Sequence, residues 1–589
     1  MNKTFGAAVA GVCMLWCANA PAASATPAAQ ADARFKAIYT QEWAWRSSQQ
    51  LELGEDDPDS GVAAALPRVD AATQQRRLAY WLRVMRQLDG IAEAQLSAAE
   101  RVNYQVYKAQ IAALVAAQQF REYEKPLNAD TAFWSNMAAV ARRPLLNAKQ
   151  YRDYLQQLAD MPRYFNEEIV NMRAGLARGF TPPRVTLEGR DASIAAVSAA
   201  ATPQDTVFYL PFKTMPAAMP AAEQEALRAQ AAQVIQADVI PSYQTLLKFM
   251  REEYVPRATE ALAAERLPDG KAYYQSKIVE FTTTHLAAQQ IHQIGLDEIA
   301  KIRAEMQDVM RQTGFQGGMP AFLQFLRTDP RFYARTPEEL LMRSAWVAKK
   351  FDGKVSQYFG YLPRRRFAVL PVPADQAPFY TSGRGDVGVY WVNTYDLPSR
   401  PLYSMPALTL HESAPGHAFQ MPIALEQKGL PAFRGAYISA YGEGWALYCE
   451  RLGAEMGMYE TPYETFGMLS YQAWRAARLV VDTGIHAMGW TRQQAQDYLH
   501  DNTALSDHEI ATEVDRYISW PGQALSYYLG EMSILKARRK AEQALGDKFD
   551  IRAFHDTVLQ LGSVPLPVLE ARIDRFIAEG GKEPYPDLD

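Results

Sequence analysis

Two histidines and a glutamate fall within the seven residues His411-Glu412-Ser413-Ala414-Pro415-Gly416-His417, a combination of side chains suited to binding a metal. Imidazole nitrogens and carboxylate oxygens suit zinc, and a glutamate directly after the first histidine is where zinc peptidases place their general base. The common helical version of this motif spaces its histidines four positions apart, on one helix face. Here the second histidine follows the first by six positions. At 3.6 residues per turn, six steps rotate by roughly 600° and leave the two rings about 120° apart. One regular helix therefore cannot direct both at one ion. Pro415 and Gly416 fall inside the gap, where proline interrupts the hydrogen-bond ladder and glycine admits backbone conformations closed to other residues. The sequence thus predicts a local bulge that returns His417 to the metal. Only eight histidines occur in 589 residues, so a chance pairing around a Pro-Gly break explains little.

A catalytic zinc site takes three protein ligands and leaves a position for water. The third ligand is sought in Ala440-Tyr-Gly-Glu-Gly-Trp-Ala-Leu-Tyr-Cys-Glu450, which reads as a helix beginning near Tyr441. Glu443 and Glu450 stand seven residues apart, within roughly 20° of each other around that helix and about two turns apart along it. One can bind metal while the other fixes the ring of a metal-bound histidine. Glu443 is expected as the ligand, flanked by Gly442 and Gly444, and Glu450 as the supporting carboxylate. A single zinc ion held by His411, His417 and Glu443 leaves Glu412 to deprotonate water.

Ser404–His417, Glu443–Tyr448 and Arg478–His486 together resemble the bacterial family called domain of unknown function 885. The resemblance runs over most of the chain after its amino terminus. That family is similar to gluzincin-type peptidases, among them carboxypeptidase Taq, oligopeptidases and angiotensin-converting enzyme, and so implies a two-lobed, largely helical fold around a deep channel. The longer histidine spacing departs from these relatives, although dipeptidyl peptidase III accepts one extra residue. Arg516-Tyr517 is similar to an Arg-Tyr pair of angiotensin-converting enzyme, and Tyr527-Tyr-Leu-Gly530 to a segment of carboxypeptidase Taq. The two similarities select different tyrosines, Tyr517 or Tyr527, as the donor to the oxyanion formed in peptide hydrolysis. Arg516 is a candidate for a substrate carboxylate. His486 is a second candidate for substrate contact, because Gly484 is read as ending the apolar helix before it.

The elements that must position these groups are mainly helical. Apolar residues recur at helical intervals over Arg76 to Ala117, Ala221 to Glu253, Ala272 to Gln312 and Pro337 to Gly360. Proline and glycine punctuate Phe180 to Thr214, predicting a less regular insertion. Between Arg366 and Tyr395 short runs rich in β-branched and aromatic residues predict a small sheet just ahead of the zinc helix. Val387 to Asn393 is expected as its edge strand, able to hold an extended peptide by main-chain hydrogen bonds. The expected organisation is a signal peptide over residues 1–25 and one two-lobed domain over 26–589, with a helical part at 26–365 and a catalytic part at 366–589.

Composition excludes some partners. The net charge is −5, and the basic clusters Arg364–Arg366 and Lys536–Lys540 are short, so no nucleic-acid footprint is present. Lys3, the apolar run Phe5 to Trp16 and the small residues Ala23-Ser24-Ala25 read as a secretory signal, placing the protein outside the cytoplasm, in the periplasm. Leu15-Trp16 before Cys17 does not make a lipobox, so lipid anchoring and stable membrane association are not expected. Cys449 is the one cysteine beyond the signal and excludes an intramolecular disulfide. The substrate is expected to be a peptide or small molecule. Zinc hydrolysis of amides or esters in cell-wall fragments or small molecules stays open, as does a non-catalytic peptide-binding protein with a vestigial site. Oligomeric state is not legible.

Overall fold

The computed structural model describes residues 26–49, 63–374 and 376–585. The segment read as a signal peptide lies outside them. Among the described residues the chain is mainly helical, with one three-stranded sheet. No helix there is long and apolar enough to cross a membrane.

Apolar periodicity becomes three hydrophobic clusters. One gathers residues of the helices between Phe133 and Tyr254, with Trp134, Tyr154, Phe212 and Tyr243 in its centre. A second joins Gly270–Thr282 and Ala288–Gln312 to the later helices. The third brings Phe35, Trp81 and Tyr107 from the first helices together with Trp445, Phe554 and Phe576 near the far end of the chain. A division at residue 365 therefore does not separate two cores. The first helices pack on one another and share their core with the later part of the chain, where Tyr39 and Tyr107 meet Phe433. The run predicted over Ala272 to Gln312 is broken at Thr283, whose φ of 55° ends the first helix in the left-handed region.

Six helices carry the site: α1 (Met405–Glu412), α2 (His417–Glu426), α3 (Ser439–Glu455), α4 (Pro462–Met488), α5 (Asp507–Ser519) and α6 (Ser526–Leu545). α4 starts where the Thr461 side chain accepts the Glu464 N–H, with Pro462 in the first turn, and is buried without interruption from Phe466 to His486. A helix buried on every side belongs in the centre of a large domain, and its polar members are paired there, Arg478 with Glu513 and Asp482 with the Tyr274 hydroxyl. It does not end at Gly484. It runs on to Gly489, and Gly484 instead makes room for the Trp490 ring, which a β-carbon would approach to 2.6 Å.

The sheet comprises β1 (Ala368–Pro371), β2 (Gly383–Asp386) and β3 (Val389–Val392), in the order β1-β3-β2. β3 pairs parallel with β1 and antiparallel with β2, with Arg384 opposite Trp391 and Gly385 opposite Tyr390. The strand expected at the edge is thus central, both of its ladders occupied. The edge beside α1 and α2 is β2.

Candidate metal centre

The chain does not bulge within one helix. It leaves α1 after Glu412, crosses Ser413–Gly416 and starts α2 at His417. The Ala414–Pro415 bond is cis. The Gly416 N–H returns to the Leu410 carbonyl at 3.0 Å, and the indole N–H of Trp445 on α3 donates to the Pro415 carbonyl at 2.8 Å. A β-carbon on Gly416 would lie 1.8 Å from the His411 carbonyl oxygen, so no larger residue fits the junction. Gly385 of β2 faces the same crowding, where a β-carbon would meet the Glu412 carbonyl at 1.9 Å.

This packing brings both imidazoles to Glu443. Its Oε2 lies 3.5 Å from His411 Nε2 and 3.3 Å from His417 Nε2. Ligands about 2.0–2.1 Å from a tetrahedral ion stand about 3.3 Å from one another, so the spacing and the donor set of two imidazoles and one carboxylate fit zinc-like coordination. Among the described residues this is the one cluster of histidine, cysteine and acidic side chains able to hold a metal. Both histidines are buried, while the Glu443 side chain keeps 14% of its surface open.

The supporting groups are asymmetric. Glu450 Oε1 sits 2.7 Å from His411 Nδ1, which leaves Nε2 to face Glu443. Behind Glu450, Arg475 Nη2 lies 3.6 Å away, its guanidinium 3.9 Å above the Trp474 ring. Burial opposes a charge on His411, yet Glu443, Glu450 and Glu412 outweigh it and raise its pKa to about 10 in the metal-free protein. Burial likewise opposes the charge on Glu443, but the two histidines hold it well below the usual carboxylate range. Glu412 accepts the Gly385 N–H at 2.6 Å, which fixes its carboxylate against β2. Gly442 and Gly444 serve neighbours rather than the metal: the Tyr437 ring packs on Gly442, and the Gly530 backbone of α6 on Gly444.

The two tyrosines differ in what they offer. Tyr517 on α5 is buried, and its hydroxyl accepts from Trp474 Nε1 and Arg478 Nε, both at 2.9 Å. Burial raises its pKa, and it contributes a hydrogen bond to Glu513, so its hydroxyl is consumed within the core. Tyr527 on α6 is sandwiched between the Arg478 guanidinium, 4.2 Å from its ring centre, and the His411 ring, stacked at 6.3 Å. Its hydroxyl accepts from Arg516 Nη2 at 3.2 Å.

Residues 48–573 match the family described as bacterial protein of unknown function DUF885. The chain belongs to that family. A crystal structure of a protein from Colwellia psychrerythraea, provisionally called a lipoprotein, is 27% identical, with a TM-score of 0.85 over 94% of this chain and 99% of that one. A Shewanella oneidensis protein of unknown function, also provisionally called a lipoprotein, shares the fold at 16% identity, a TM-score of 0.64 and coverage of 93% and 99%. An M32 carboxypeptidase from Deinococcus radiodurans aligns at 15% identity with a TM-score of 0.27, at which no common fold follows. No curated protein matches the sequence.

In this DUF885 chain two expected substrate contacts are otherwise engaged. His486 is fully buried; Nδ1 accepts the Ala264 N–H at 3.0 Å and Nε2 meets the Tyr517 carbonyl at 2.9 Å. Burial lowers its pKa to about 4, and a neutral ring with both nitrogens occupied is a core histidine, without reach to a substrate. Arg516 is tied to Asp130 at 3.2 Å, Glu513 at 3.4 Å, Gln523 at 2.8 Å and the Tyr527 hydroxyl, so its fork is not free for a carboxylate. Sequence reasoning also missed residues at the site. Tyr437, 44% exposed, lies 6.4 Å from the His417 ring, and its phenol feels burial and then the Glu443 charge, both raising its pKa. Arg384 of β2 lies beside Glu412. Neither belongs to a motif; the glycines around both, Gly383, Gly385 and Gly442, were the available signal.

Proposed function

We propose that this chain is an exported zinc-dependent peptidase acting on short peptides. The carrying observation is the convergence of His411, His417 and Glu443 at ligand spacing with Glu412 directly alongside. Zinc bound there would polarise a water molecule and the substrate carbonyl while keeping one coordination position open. Glu412, held by β2, takes the proton of the attacking water and passes it to the leaving amine. Tyr527 accepts a hydrogen bond from Arg516, so its own proton points elsewhere and serves the oxyanion; Tyr517 has none to give. Arg516 thus acts on Tyr527 as a positioning residue. Glu450, backed by Arg475, selects the His411 tautomer. The outer edge of β2, beyond the Gly385 N–H that Glu412 occupies, is where an extended peptide adds main-chain hydrogen bonds. The lipoprotein description of the Colwellia neighbour supports export and leaves a lipid anchor open.

The test is Glu412→Gln in zinc-loaded protein, incubated with a mixed peptide library and read by mass spectrometry beside an elemental assay. Metal content stays at the wild-type level and hydrolysis drops by about 10²–10⁴-fold, the usual contribution of a general base. Chelation of the wild type abolishes cleavage and zinc restores it. Undiminished cleavage by the glutamine variant removes the general-base role, and a zinc-loaded wild type inert toward every peptide removes the proposal.

A further inference from the structure

The strand nearest the proposed base carries a cation that the fold does not use. Gly385 donates to Glu412 at 2.6 Å, and neighbouring Cα atoms are about 3.8 Å apart, so the Arg384 backbone lies one residue from that carboxylate. Side chains alternate along a strand. At Gly385 the side-chain direction runs into the α1–α2 junction, since a β-carbon there would meet the Glu412 carbonyl and the His417 Cβ. Arg384 therefore projects to the other side, where it is exposed. Asp386 shares that side but turns its carboxylate to the Val387 N–H at 2.6 Å. Among the described residues no carboxylate pairs with the Arg384 guanidinium, whose polar neighbour is the Tyr380 hydroxyl. It is nonetheless near enough to feel the charges of Asp386 and, beyond it, of Glu412 and Glu443. The other arginines by the site are spent: Arg475 and Arg478 are buried in stacks and ion pairs, and Arg516 holds Tyr527.

We infer that Arg384 receives a carboxylate of the substrate, so that the site selects peptides carrying a negative charge close to the bond that is cut. The inference rests on the peptidase reading above. A guanidinium is always charged and matches a carboxylate with two parallel N–H donors. The carboxylate is that of the peptide C-terminus or of an aspartate or glutamate side chain.

The experiment uses one short peptide in three forms: a free C-terminal acid, its C-terminal amide, and the amide with one glutamate in place of a glutamine. kcat/KM is measured for each with zinc-loaded wild type, Arg384→Gln and Arg384→Lys. In parallel, the three peptides are titrated calorimetrically into Glu412→Gln with and without Arg384→Gln. Wild type prefers one charged form over the neutral amide by about 10–100-fold, the worth of a charge-assisted hydrogen-bond pair. Which form wins identifies the source of the carboxylate. Arg384→Gln brings the ratio towards one, Arg384→Lys recovers part of it, and metal content is the same in all three proteins. A wild-type ratio near one, or a ratio that Arg384→Gln leaves intact, overturns the assignment while leaving peptide hydrolysis standing. If no form is cleaved, the peptidase proposal fails and the titrations decide alone. Tighter binding of a charged form that is lost with Arg384→Gln supports Arg384, and equal binding of all three overturns it.

Discussion

His411 meets a different carboxylate at each ring nitrogen, and the two make separable predictions. Glu450 holds Nδ1 and touches no other ligand, so Glu450→Gln leaves the three donors in place while weakening the support that makes the imidazole a good base. Zinc affinity falls by about 10–100-fold, read by competition with a chromogenic chelator; unchanged affinity removes Glu450 from the support of the site. Glu443 faces Nε2, and in the metal-free protein these two carboxylates together with Glu412 raise His411 from 6.5 to about 10. A group with a raised folded pKa stabilises fully below its unfolded value and loses that contribution as pH climbs through the folded one. Metal-free protein is therefore expected to lose stability between pH 6.5 and about 10 from this group. Zinc requires the neutral ring, so loading releases a proton in that window and removes the dependence. Other buried groups titrate there too, so the test is the difference in Tm between metal-free and zinc-loaded protein across the window, with zinc titrations in two buffers of unlike ionisation enthalpy. A difference that does not grow with pH, or uptake without proton release, contradicts the arrangement.

At the scale of elements, the junction between α1 and α2 sets the ligand spacing, and its tolerance is narrow. Gly416→Ala places a β-carbon 1.8 Å from a main-chain oxygen, which no rotamer change relieves. The cost is about 3 kcal/mol or more, since the backbone itself must move, and the movement separates His417 from Glu443. The expected result is a lower Tm together with lost zinc binding; a variant that binds zinc normally would show that the junction is softer than this packing implies. Much of this was legible in the sequence. The six-residue histidine spacing demanded a break, Pro415 and Gly416 located it, and the seven-residue spacing put Glu443 and Glu450 on one face. The form of the break was not legible, because two helices meeting at an angle are held by Trp445, thirty positions away from Pro415. Val387–Asn393 was misread as an edge because strand order depends on pairing that the strand itself does not encode. His486 was misread because Gly484 looked like a stop, whereas tertiary packing against Trp490 gave it another use. Arg384 and Tyr437 reach the site only through such non-local packing, and the glycines on either side of Arg384 mark a close approach without naming its partner.

Across the whole molecule, the first helices are structural partners of the metal centre rather than a separate unit. Glu42, buried in Pro27–Ser48, accepts Trp81 Nε1 and the Tyr107 hydroxyl, each at 2.9 Å, and lies in an ion pair with Arg46 at 2.8 Å. Tyr107 in turn packs its ring 4.9 Å from Phe433, just before the helix that supplies Glu443 and Glu450. The Arg434 guanidinium, three-quarters of the way along the chain, donates to Asn103 at 2.8 Å. A chain cut at residue 365 therefore exposes Phe433, Trp445 and their neighbours on the catalytic side and uncovers Tyr107 and Asn103 on the other. Large-to-small changes in a core already cost about 2–5 kcal/mol each, and removing a whole helical layer exceeds the about 5–15 kcal/mol by which folded proteins exceed their unfolded states. Residues 366–589 expressed alone are thus expected to lack cooperative thermal unfolding and to bind zinc no better than an unfolded peptide, whereas co-expression with 26–365 restores both. Circular dichroism melts and zinc titration of the fragments, singly and mixed, check this. An autonomous, cooperative fold of 366–589 with an intact metal site would mean that the shared core contributes less than its burial indicates, and that the helices around Glu42 cover the catalytic part without being needed to build it.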